Sequence, residues 1–556
     1  MFMAGKDDRD SRVALPQECN SEGTVAFLHD YHELSKHGFE AYAPGPETLD
    51  WDNQPNPFRD FAGSDGYPLP LLAQGGGPSW GTVLAGQREA EAITPQTVSR
   101  YLQLSLGLTA WKQWGPDRWS LRANPSSGNL HPTEAYVLLG GESGLPRGLC
   151  HYNVAQHALE QRVVYDTGDW PQQSFGVALT SVLWRELWKY GERGFRYTQL
   201  DVGHAVAALA YAAQAHGWQV VLMSGVSTQT LSHLLGLQRP EYTSVEREYA
   251  ECLLWVGANL QEKHLPDFET QPQPLADWQG TPSKLMQERS LYHWPLANQA
   301  MLASETSVVP SAQRLPHTLL RTSSSAHPSV ADLPVSFQEV VYGRRSAVAF
   351  KQETMDRPRF DAILSALFYF QTPLSGHTVD YIVAVHRVEG LEPGLYAMPA
   401  HLDSLSRLQK CCCRWSDWQQ VSHYGEAALP LYRLEAARVQ QLMATLCCHQ
   451  AIAADSAFTI GFIADIKHSS EQAGAAAYRQ LHWQSGFLSH QIYLAASALN
   501  VAATGIGCFF DDPWLQWLGS GPGGMQMLYL TAVGTPRKDE RVTTLSGYHY
   551  LDRDVC

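Results

Sequence analysis

The sequence contains 556 residues, of which 44% are hydrophobic and 17% are charged. This composition is typical of a folded globular protein, and the length exceeds what one hydrophobic core supports, so two or three domains are expected. The formal net charge of −15 argues against nucleic acid or an anionic membrane surface as the main partner.

The cysteines and the apolar segments indicate the cellular compartment of the protein. The ten cysteines are either adjacent or scattered, which fits neither a disulfide framework nor a zinc site. The N-terminal segment lacks an apolar signal-peptide core, and the most apolar long run, residues 205–223, is interrupted by polar side chains. We therefore expect a cytoplasmic protein without a membrane segment or a metal site.

The first half of the chain divides into an arm and a domain. Residues 1–85 are rich in proline, glycine and aromatic residues, which predicts an irregular arm with one helix near residues 24–41. Residues 86–262 form the first predicted domain, and Thr94-Pro95 is a strong helix start. In order, its predicted elements are a helix from Pro95 to Leu108, a loop and strand over 122–139, a hairpin over 148–164, two long helices ending near Gly217, and a strand over 251–256.

The second half repeats the pattern of the first. Residues 263–332 are predicted to be a linker with a short helix near residues 291–301, and residues 333–556 form the second predicted domain. Four pairs of segments carry the repeat: 144–149 with 390–395, 195–213 with 478–496, 253–257 with 529–534, and 125–128 with 373–376. A repeat of this length predicts two tandem α+β domains, each an antiparallel-rich mixed sheet flanked by helices.

Four motifs stand out along the chain. The polar loop Pro125–Asn129 precedes an apolar segment, and on its own such a cluster is typical of an ordinary loop. It is followed by Lys189-Tyr190 within residues 188–197, by Arg344-Arg345-Ser346, and by the glycine-rich turn Gly505–Gly507. Together these motifs resemble the nitroreductase-like FMN flavoproteins, and within them the SagB/ThcOx-type (azoline dehydrogenase-like) branch.

The resemblance implies two nitroreductase-like domains paired as an intrachain pseudo-dimer. Members of this family mostly hold FMN between two subunits, and one subunit supplies the polar loop while the other supplies the arginine motif, the glycine turn and a basic C-terminal segment. Here the loop is intact only in the first half and the other motifs only in the second, so we predict one composite site and one FMN per chain. The residues that the resemblance assigns to FMN are Arg122, Pro125, Ser126, Ser127, Asn129, Arg344, Arg345, Ser346, Gly505, Ile506, Gly507 and Arg537.

Lys189 and Tyr190 are the predicted catalytic pair. In azoline dehydrogenases a Lys-Tyr pair at this motif is thought to remove a proton from the substrate ring while a hydride passes to flavin N5. A neighbouring ammonium group or partial burial would bring the phenol or the amine toward working pH. The alternative is an ordinary helix surface, because Glu186 and Lys189 have the spacing of a helical ion pair.

Two further pairs of residues are candidate metal ligands. Asp201 and His204 lie one helical turn apart but lack a third metal ligand, so a core or interface role is expected. Asp511-Asp512 precede a proline and are predicted to cap a helix.

The sequence thus predicts an FMN-dependent dehydrogenase or oxidase that acts on an azoline-type or related small-molecule or peptide substrate, with oxygen as electron acceptor. An NAD(P)H-dependent nitro or quinone reductase is the alternative within enzymes, and a flavin-free binding or scaffold protein is the alternative outside them. Further homo-oligomerisation stays open.

Overall fold

Two seven-stranded sheets organise the chain. The computed structural model describes residues 21–73, 75–86, 88–141, 144–168, 170–223, 225–242, 246–261, 265–268, 272–284, 291–305, 333–369, 372–374, 378–421, 429–521 and 523–553. Part of the predicted linker, residues 306–332, and the end of the weakest repeat, residues 375–376, therefore lie outside the described residues.

The elements of the first half surround the first sheet. Its helices are α1 (Ser21–Leu34), α2 (Trp80–Ala85), α3 (Pro95–Ser105), α4 (Trp184–Tyr190), α5 (Gly194–Ala215), α6 (Thr228–Leu234) and α7 (Pro295–Ala303). Its strands are β1 (Phe61–Ala62), β2 (Gly66–Pro68), β3 (Leu108–Trp114), β4 (Asp117–Arg122), β5 (Thr133–Gly140), β6 (Arg147–Asn153), β7 (Ala158–Val163), β8 (Ser174–Val182), β9 (Gln219–Leu222), β10 (Glu248–Gly257) and β11 (Thr281–Pro282).

The second half is built in the same way. Its helices are α8 (Phe337–Gly343), α9 (Arg357–Tyr369), α10 (Leu405–Cys411), α11 (Gln440–Leu446), α12 (Ala451–Asp455), α13 (Ile466–Ala473), α14 (Ala476–Ala498) and α15 (Asp511–Leu518). Its strands are β12 (Asp380–Val385), β13 (Gly394–Met398), β14 (Gln419–Gln420), β15 (Tyr432–Ala436), β16 (Phe458–Ala464), β17 (Ala502–Ile506), β18 (Gln526–Gly534) and β19 (Thr543–Ser546).

The two sheets have the same topology. Their strand orders are β2-β7-β6-β5-β8-β10-β9 and β14-β15-β13-β12-β16-β18-β17. Apart from the edge strands β2 and β14, each order reads third, second, first, fourth, sixth, fifth. A long helix, α5 or α14, leads from the fourth strand to the fifth in each case. The described strand pairs of both sheets are antiparallel, so these sheets lack the mixed character that the sequence predicted.

The long helices α5 and α14 cross in backbone contact. A Cβ atom on Gly203 would lie 2.0 Å from the carbonyl oxygen of Trp483, and one on Gly486 would lie 2.1 Å from the carbonyl oxygen of Leu200. The two contacts are reciprocal, because Leu200 and Trp483 each precede the glycine of their own helix by three residues. Such pairing of equivalent patches is the geometry of a two-fold interface.

A second reciprocal contact joins the segments that lead into α2 and α8. The backbone N–H of Trp80 donates to the carbonyl of Val335, and the N–H of Phe337 donates to the carbonyl of Pro78, both at 2.9 Å. The rings of Trp80 and Phe337 stack with centroids 6.3 Å apart. The largest buried apolar cluster contains residues of both halves, so they share a core.

The chain after the second sheet returns to the first half. Strand β19 pairs with β3 and forms a three-stranded sheet with β4. The hydroxyl of Tyr548 accepts a hydrogen bond from the backbone N–H of Leu108 at 2.9 Å, and that of Tyr550 donates to the carbonyl of Ala155 at 2.6 Å.

Several predicted elements are present with changed bounds. The helix predicted at residues 24–41 spans Ser21–Leu34 within the described residues. Thr94 caps α3 with a capping box and proline at its start, as predicted, but α3 ends at Ser105 rather than Leu108 because Leu108 begins β3. None of the helices in the described ranges combines the length and apolar character that a membrane span requires.

Strand β8 was missed and assigned to a helical pattern. Its residues form a nearly continuous apolar run that is buried on both faces. A short buried strand and a buried helix segment have the same composition, so periodicity cannot separate them. The hairpin of β3 and β4 was missed as well, because its partner β19 lies at the far end of the sequence.

We expect Gly203→Ala to lower the free energy of unfolding by about 1–3 kcal/mol, since the added methyl group must push the helices apart. An alanine free of contacts in a helix would instead stabilise the protein. Chemical denaturation measures the change, and Gly66→Ala is the control because a Cβ there has no neighbour within 4 Å. A Gly203→Ala protein as stable as the wild type would contradict the close crossing.

Candidate functional site

The polar loop Pro125–Asn129 is held in an unusual backbone conformation. Gly128, Asn129 and His131 have φ of 57°, 61° and 50°, a region that favours glycine and asparagine. The Asn129 side chain donates to the carbonyl of Ser120 at 3.0 Å and lies 3.0 Å from His131 Nε2. The hydroxyl of Ser126 accepts from the N–H of His131 at 2.8 Å. The loop is therefore fixed by its own side chains, and Pro125 at its start is buried.

Asp201 on α5 supports the loop from below. The backbone N–H and the hydroxyl of Ser127 both donate to Asp201 Oδ1 at 3.0 Å. Burial raises the pKa of Asp201 to about 7. Sequence reasoning considered Asp201 only as half of an incomplete metal pair with His204. Its contact with the loop was not visible because the two segments are 74 residues apart in sequence.

Arg344 reaches the loop from the second half. Its guanidinium donates to the carbonyls of Arg122 and Ala123 at 3.0 and 3.1 Å, directly before the loop. The side chain is buried, and its Nη1 finds no hydrogen-bond partner among the described residues. Its guanidinium carbon lies 5.5 Å from the centre of the Tyr493 ring. A buried arginine with an unused donor is suited to a bound anion or carbonyl oxygen.

Arg345 belongs to a basic cluster with Lys112 and Lys538. Arg345 donates to the hydroxyl of Thr109 at 3.3 Å, which brings it onto β3 of the first half. Burial and the neighbouring Arg344 lower the pKa of Arg345 to about 10. Burial and the positive charges of Arg345 and Lys538 also lower the pKa of Lys112. Positive charges that repel one another in this way are stabilised when a phosphate binds between them.

Ser346 and Gly505 both contact the hydroxyl of Tyr493. The hydroxyl of Tyr493 lies 3.1 Å from Ser346 Oγ and accepts a hydrogen bond from the N–H of Gly505 at 2.6 Å. Gly505 itself is needed for packing, because a Cβ there would lie 1.8 Å from the hydroxyl of Tyr529. A Cβ on Gly507 would lie 2.4 Å from the Tyr197 ring.

Lys189 and Tyr190 lie at the end of α4 against the tip of the loop. A Cβ on Gly128 would lie 2.6 Å from the Tyr190 hydroxyl and 3.1 Å from Lys189 Nζ. The Tyr190 ring packs edge-on against Tyr197 at 4.6 Å. Burial, with the nearby Glu186, raises the pKa of Tyr190 well above its usual value. The direction of this shift opposes an ionised phenol at Tyr190, whereas the assignment of Lys189 and Tyr190 as a catalytic pair stays a prediction.

Three predicted site residues point elsewhere. The guanidinium of Arg122 is buried and donates to the carbonyls of Pro57 and Thr133, and burial lowers its pKa to about 10. Ile506 is buried in the core of the second half. Arg537 is exposed, and its positive charge lowers the pKa of Asp539.

Lys112 and Glu186 were missed by sequence reasoning as parts of this site. Lys112 looks like an ordinary exposed strand residue until β3 is placed beside Arg345. Glu186 was interpreted as a surface partner of Lys189, but it is fully buried and both its oxygens lack hydrogen-bond partners among the described residues. Burial raises the pKa of Glu186 well above its usual value.

Comparison with known proteins finds a family match within the first half. Residues 89–245 match the model of the nitroreductase family. The matched span contains the polar loop, Lys189, Tyr190 and Asp201, whereas Arg344 and Arg345 lie beyond it.

Two curated relatives match parts of this chain. The trifolitoxin-processing protein TfxB of Rhizobium leguminosarum bv. trifolii is 34% identical over 112 residues, which cover 17% of this chain and 30% of that protein. A candidate nitroreductase of Methanocaldococcus jannaschii is 22% identical over 180 residues, which cover 30% of this chain and 83% of that protein. The chain thus spans less than a third of the length of TfxB.

The fold recurs in a solved structure. A candidate nitroreductase from Anabaena variabilis superposes with a TM-score of 0.66 and 22% identity, over 92% of this chain and 99% of that chain. At this identity the likeness concerns the fold, and it extends well beyond residues 89–245 into the second half.

We expect the stability of the wild type to fall, relative to Asp201→Asn, as the pH rises from about 4 to about 7. The folded-state pKa of Asp201, about 7, lies above its ordinary value of 3.8, so the folded protein holds an extra proton in this window. That contribution is complete below the unfolded pKa and is lost as the pH passes the folded pKa.

Thermal unfolding of both proteins at pH 5 and pH 8 measures this effect. The difference in favour of Asp201→Asn should be larger at pH 8, by up to about 1.4 kcal/mol for each pH unit in the window. The exposed Asp52→Asn serves as the control. A difference that stays constant with pH would show that Asp201 is not held protonated.

Proposed function

We propose that this chain is an FMN-dependent oxidoreductase with one composite site between its two halves. The observation that carries the proposal is the meeting of Arg344 and Arg345 from the second half with the segment that leads into the polar loop and with β3 of the first half. Neither half alone contains both the basic groups and the loop.

A pseudo-dimer arrangement is supported by the fold. Both sheets have the same strand order, and reciprocal backbone contacts join Gly203 to Trp483 and Gly486 to Leu200. These features fit two copies of one domain related by an approximate two-fold axis.

The position equivalent to the arginine motif in the first half is not suited to a phosphate. Arg88 follows α2 there, and its guanidinium donates to the carbonyl of Ala215 and pairs with Glu91. Glu91 also pairs with Arg100 at 3.2 Å. Because Glu91 places a carboxylate against both arginines, it would repel a phosphate there, so we propose that this second position stays without cofactor and that the chain carries one FMN.

The residues of the composite site suit the parts of FMN. Arg345, Lys112 and Lys538 would hold the phosphate, whose oxygens match forked and multiple N–H donors. The unused Nη1 of Arg344 and the polar loop would meet the carbonyl and nitrogen atoms of the ring. When bound, FMN would supply the acceptor for a hydride taken from the substrate.

Lys189 and Tyr190 would act on the substrate beside the loop. Tyr190 keeps its proton and can donate a hydrogen bond that orients a ring heteroatom or carbonyl of the substrate. Lys189 Nζ is the group placed to exchange a proton with the substrate. We propose an azoline-type ring in a peptide as substrate, with oxygen as the final electron acceptor. The partial similarity to a trifolitoxin-processing protein supports a peptide-modifying role but does not name the ring.

Purification followed by an absorbance spectrum tests the proposal directly. We expect a yellow protein that releases one FMN per chain on denaturation. A ratio near two would contradict the composite site, and a colourless protein that FMN cannot reconstitute would favour a flavin-free scaffold. Anaerobic bleaching of the bound flavin by NAD(P)H would favour a nitro or quinone reductase instead of a dehydrogenase.

We expect Arg345→Ala to weaken FMN binding by roughly 10- to 100-fold, because one charge-assisted contact to the phosphate contributes about 1.5–3 kcal/mol. Titration of the apoprotein by flavin fluorescence measures the affinity. Arg541→Ala is the matched control, since Arg541 is exposed and pairs with Asp539. Equal losses in both variants would remove Arg345 from the phosphate site.

We expect Lys189→Ala to keep FMN but to lower turnover by roughly 100-fold or more, as is typical when a proton-transfer group is removed. The assay uses a synthetic peptide with a thiazoline ring, and mass spectrometry follows the loss of two hydrogens. Lys467→Ala on α13 is the control. Full turnover by Lys189→Ala on a peptide that the wild type oxidises would contradict the assigned role.

A further inference from the structure

Two cysteines and a histidine form a cluster next to the glycine turn. The thiol of Cys508, directly after Gly507, interacts with the side chains of Cys448 and His37. Backbone hydrogen bonds hold their segments together, because the N–H of Phe510 donates to the carbonyl of Leu446 at 2.8 Å and the N–H of Asp511 donates to the carbonyl of His37 at 3.0 Å. Both thiols are partly exposed. The three groups come from three separate segments: the end of β17, the turn after α11 and the loop after α1. This cluster is unused by the proposed flavin chemistry.

The ring of His37 has a defined tautomer. Its Nδ1 accepts a hydrogen bond from the backbone N–H of Ala43 at 2.8 Å, so in the neutral ring the proton lies on Nε2. Burial lowers the pKa of His37, which keeps the ring neutral. Nε2–H is then the donor available to the sulfur of Cys508, and it stabilises a thiolate there.

The charges around Cys508 favour its ionised form. Its hydrogen bond with Cys448 is the largest cause, and with His37 and the guanidinium of Arg193 it lowers the pKa of Cys508 to about 5. The other titratable groups that face it are the thiol of Cys447 and the phenols of Tyr42, Tyr190 and Tyr197.

Cys448 remains a protonated thiol beside this thiolate. Its hydrogen bond to Cys508 raises the pKa of Cys448. Cys448 and His449 have φ of 53° and 60°, a conformation that non-glycine residues rarely adopt and that is common at functional sites. A low-pKa cysteine with a second thiol in contact is the arrangement of redox-active dithiols.

The surface beside the cluster can receive a small organic molecule. Phe39 and Tyr42 are 60% and 56% exposed, and both rings pack against Phe510 at 4.8 and 5.6 Å. The Tyr42 hydroxyl also contacts Cys448.

We propose that Cys508 and Cys448 form a thiol–disulfide exchange site for small aromatic or peptide disulfides. The Cys508 thiolate attacks one sulfur of the disulfide, which forms a mixed disulfide and releases the first thiolate. Cys448 then loses its proton to solvent and attacks Cys508, which forms the Cys448–Cys508 disulfide and releases the second thiolate. The protein loses two electrons, and the disulfide becomes two thiols. The site does not depend on FMN.

The test uses 5,5′-dithiobis(2-nitrobenzoate) as the disulfide, with the native full-length protein. We expect one fast phase that releases two nitrothiobenzoate ions per chain and leaves a Cys448–Cys508 disulfide in peptide maps. Cys448→Ser should release one nitrothiobenzoate ion per chain and retain a stable adduct on Cys508. Cys508→Ser should lose the fast phase. Cys413→Ser, which removes an exposed cysteine, should leave the fast phase intact.

The pH dependence of the fast-phase rate distinguishes Cys508 from an ordinary thiol, and its measurement requires no variant. A free thiol of pKa near 8.5 reacts nearly a hundred times faster at pH 8 than at pH 6. The reaction rate of a thiolate that is already formed at pH 6 changes by less than about twofold over the same range. Low thiolate basicity reduces its intrinsic reactivity, so we expect the fast phase to exceed glutathione by only roughly tenfold at pH 6. A fast phase that follows glutathione across this range, or a map without the intrachain disulfide, would overturn the proposal.

Discussion

The close crossing of α5 and α14 is the constraint on which the rest of the structure depends. Gly203 and Gly486 let the two backbones touch, and larger residues at these positions would separate the halves. Asp201 lies two residues before the first glycine and supports the polar loop, while Tyr493 lies two turns after the second and contacts Ser346 and Gly505. The crossing therefore sets the distance between the groups that each half contributes to the candidate site.

Buried charges fix how the halves meet. Arg193 and Arg196 of the first half both pair with Asp511 of the second at 2.8 Å, and Arg479 of the second pairs with Glu251 of the first at 2.9 Å. Buried ion pairs add little net stability after desolvation, but a wrong register would leave each charge without its partner. Arg193 also borders Cys508, so the same pairing that aligns the halves shapes the surroundings of the thiol cluster.

Local patterns predicted the repeat and the motifs of the site but not the contacts between them. Gly203 and Gly486 have the same spacing from the neighbouring residues of the repeat, so the sequence alone showed that the two helices are equivalent. Asp511 was predicted to cap a helix, but Phe510 occupies the cap position of α15 and Asp511 is its first residue. The arginines that pair with Asp511 are more than 300 residues away in sequence. Lys112 and Asp201 were not recognised for the same reason, and the raised pKa of Tyr190 follows from burial, which no local pattern reports.

The pairing of β19 with β3 bears on how this chain acquires its structure during synthesis. The hydroxyl that completes the bond to Leu108 belongs to Tyr548, 440 residues later in the chain. At a ribosomal rate of about 5–20 residues per second, the edge of β3 stays unpaired for roughly 20–90 seconds. Through that interval an open strand edge and an uncovered core face are available to other nascent chains, so the risk of aggregation is highest before the second half arrives.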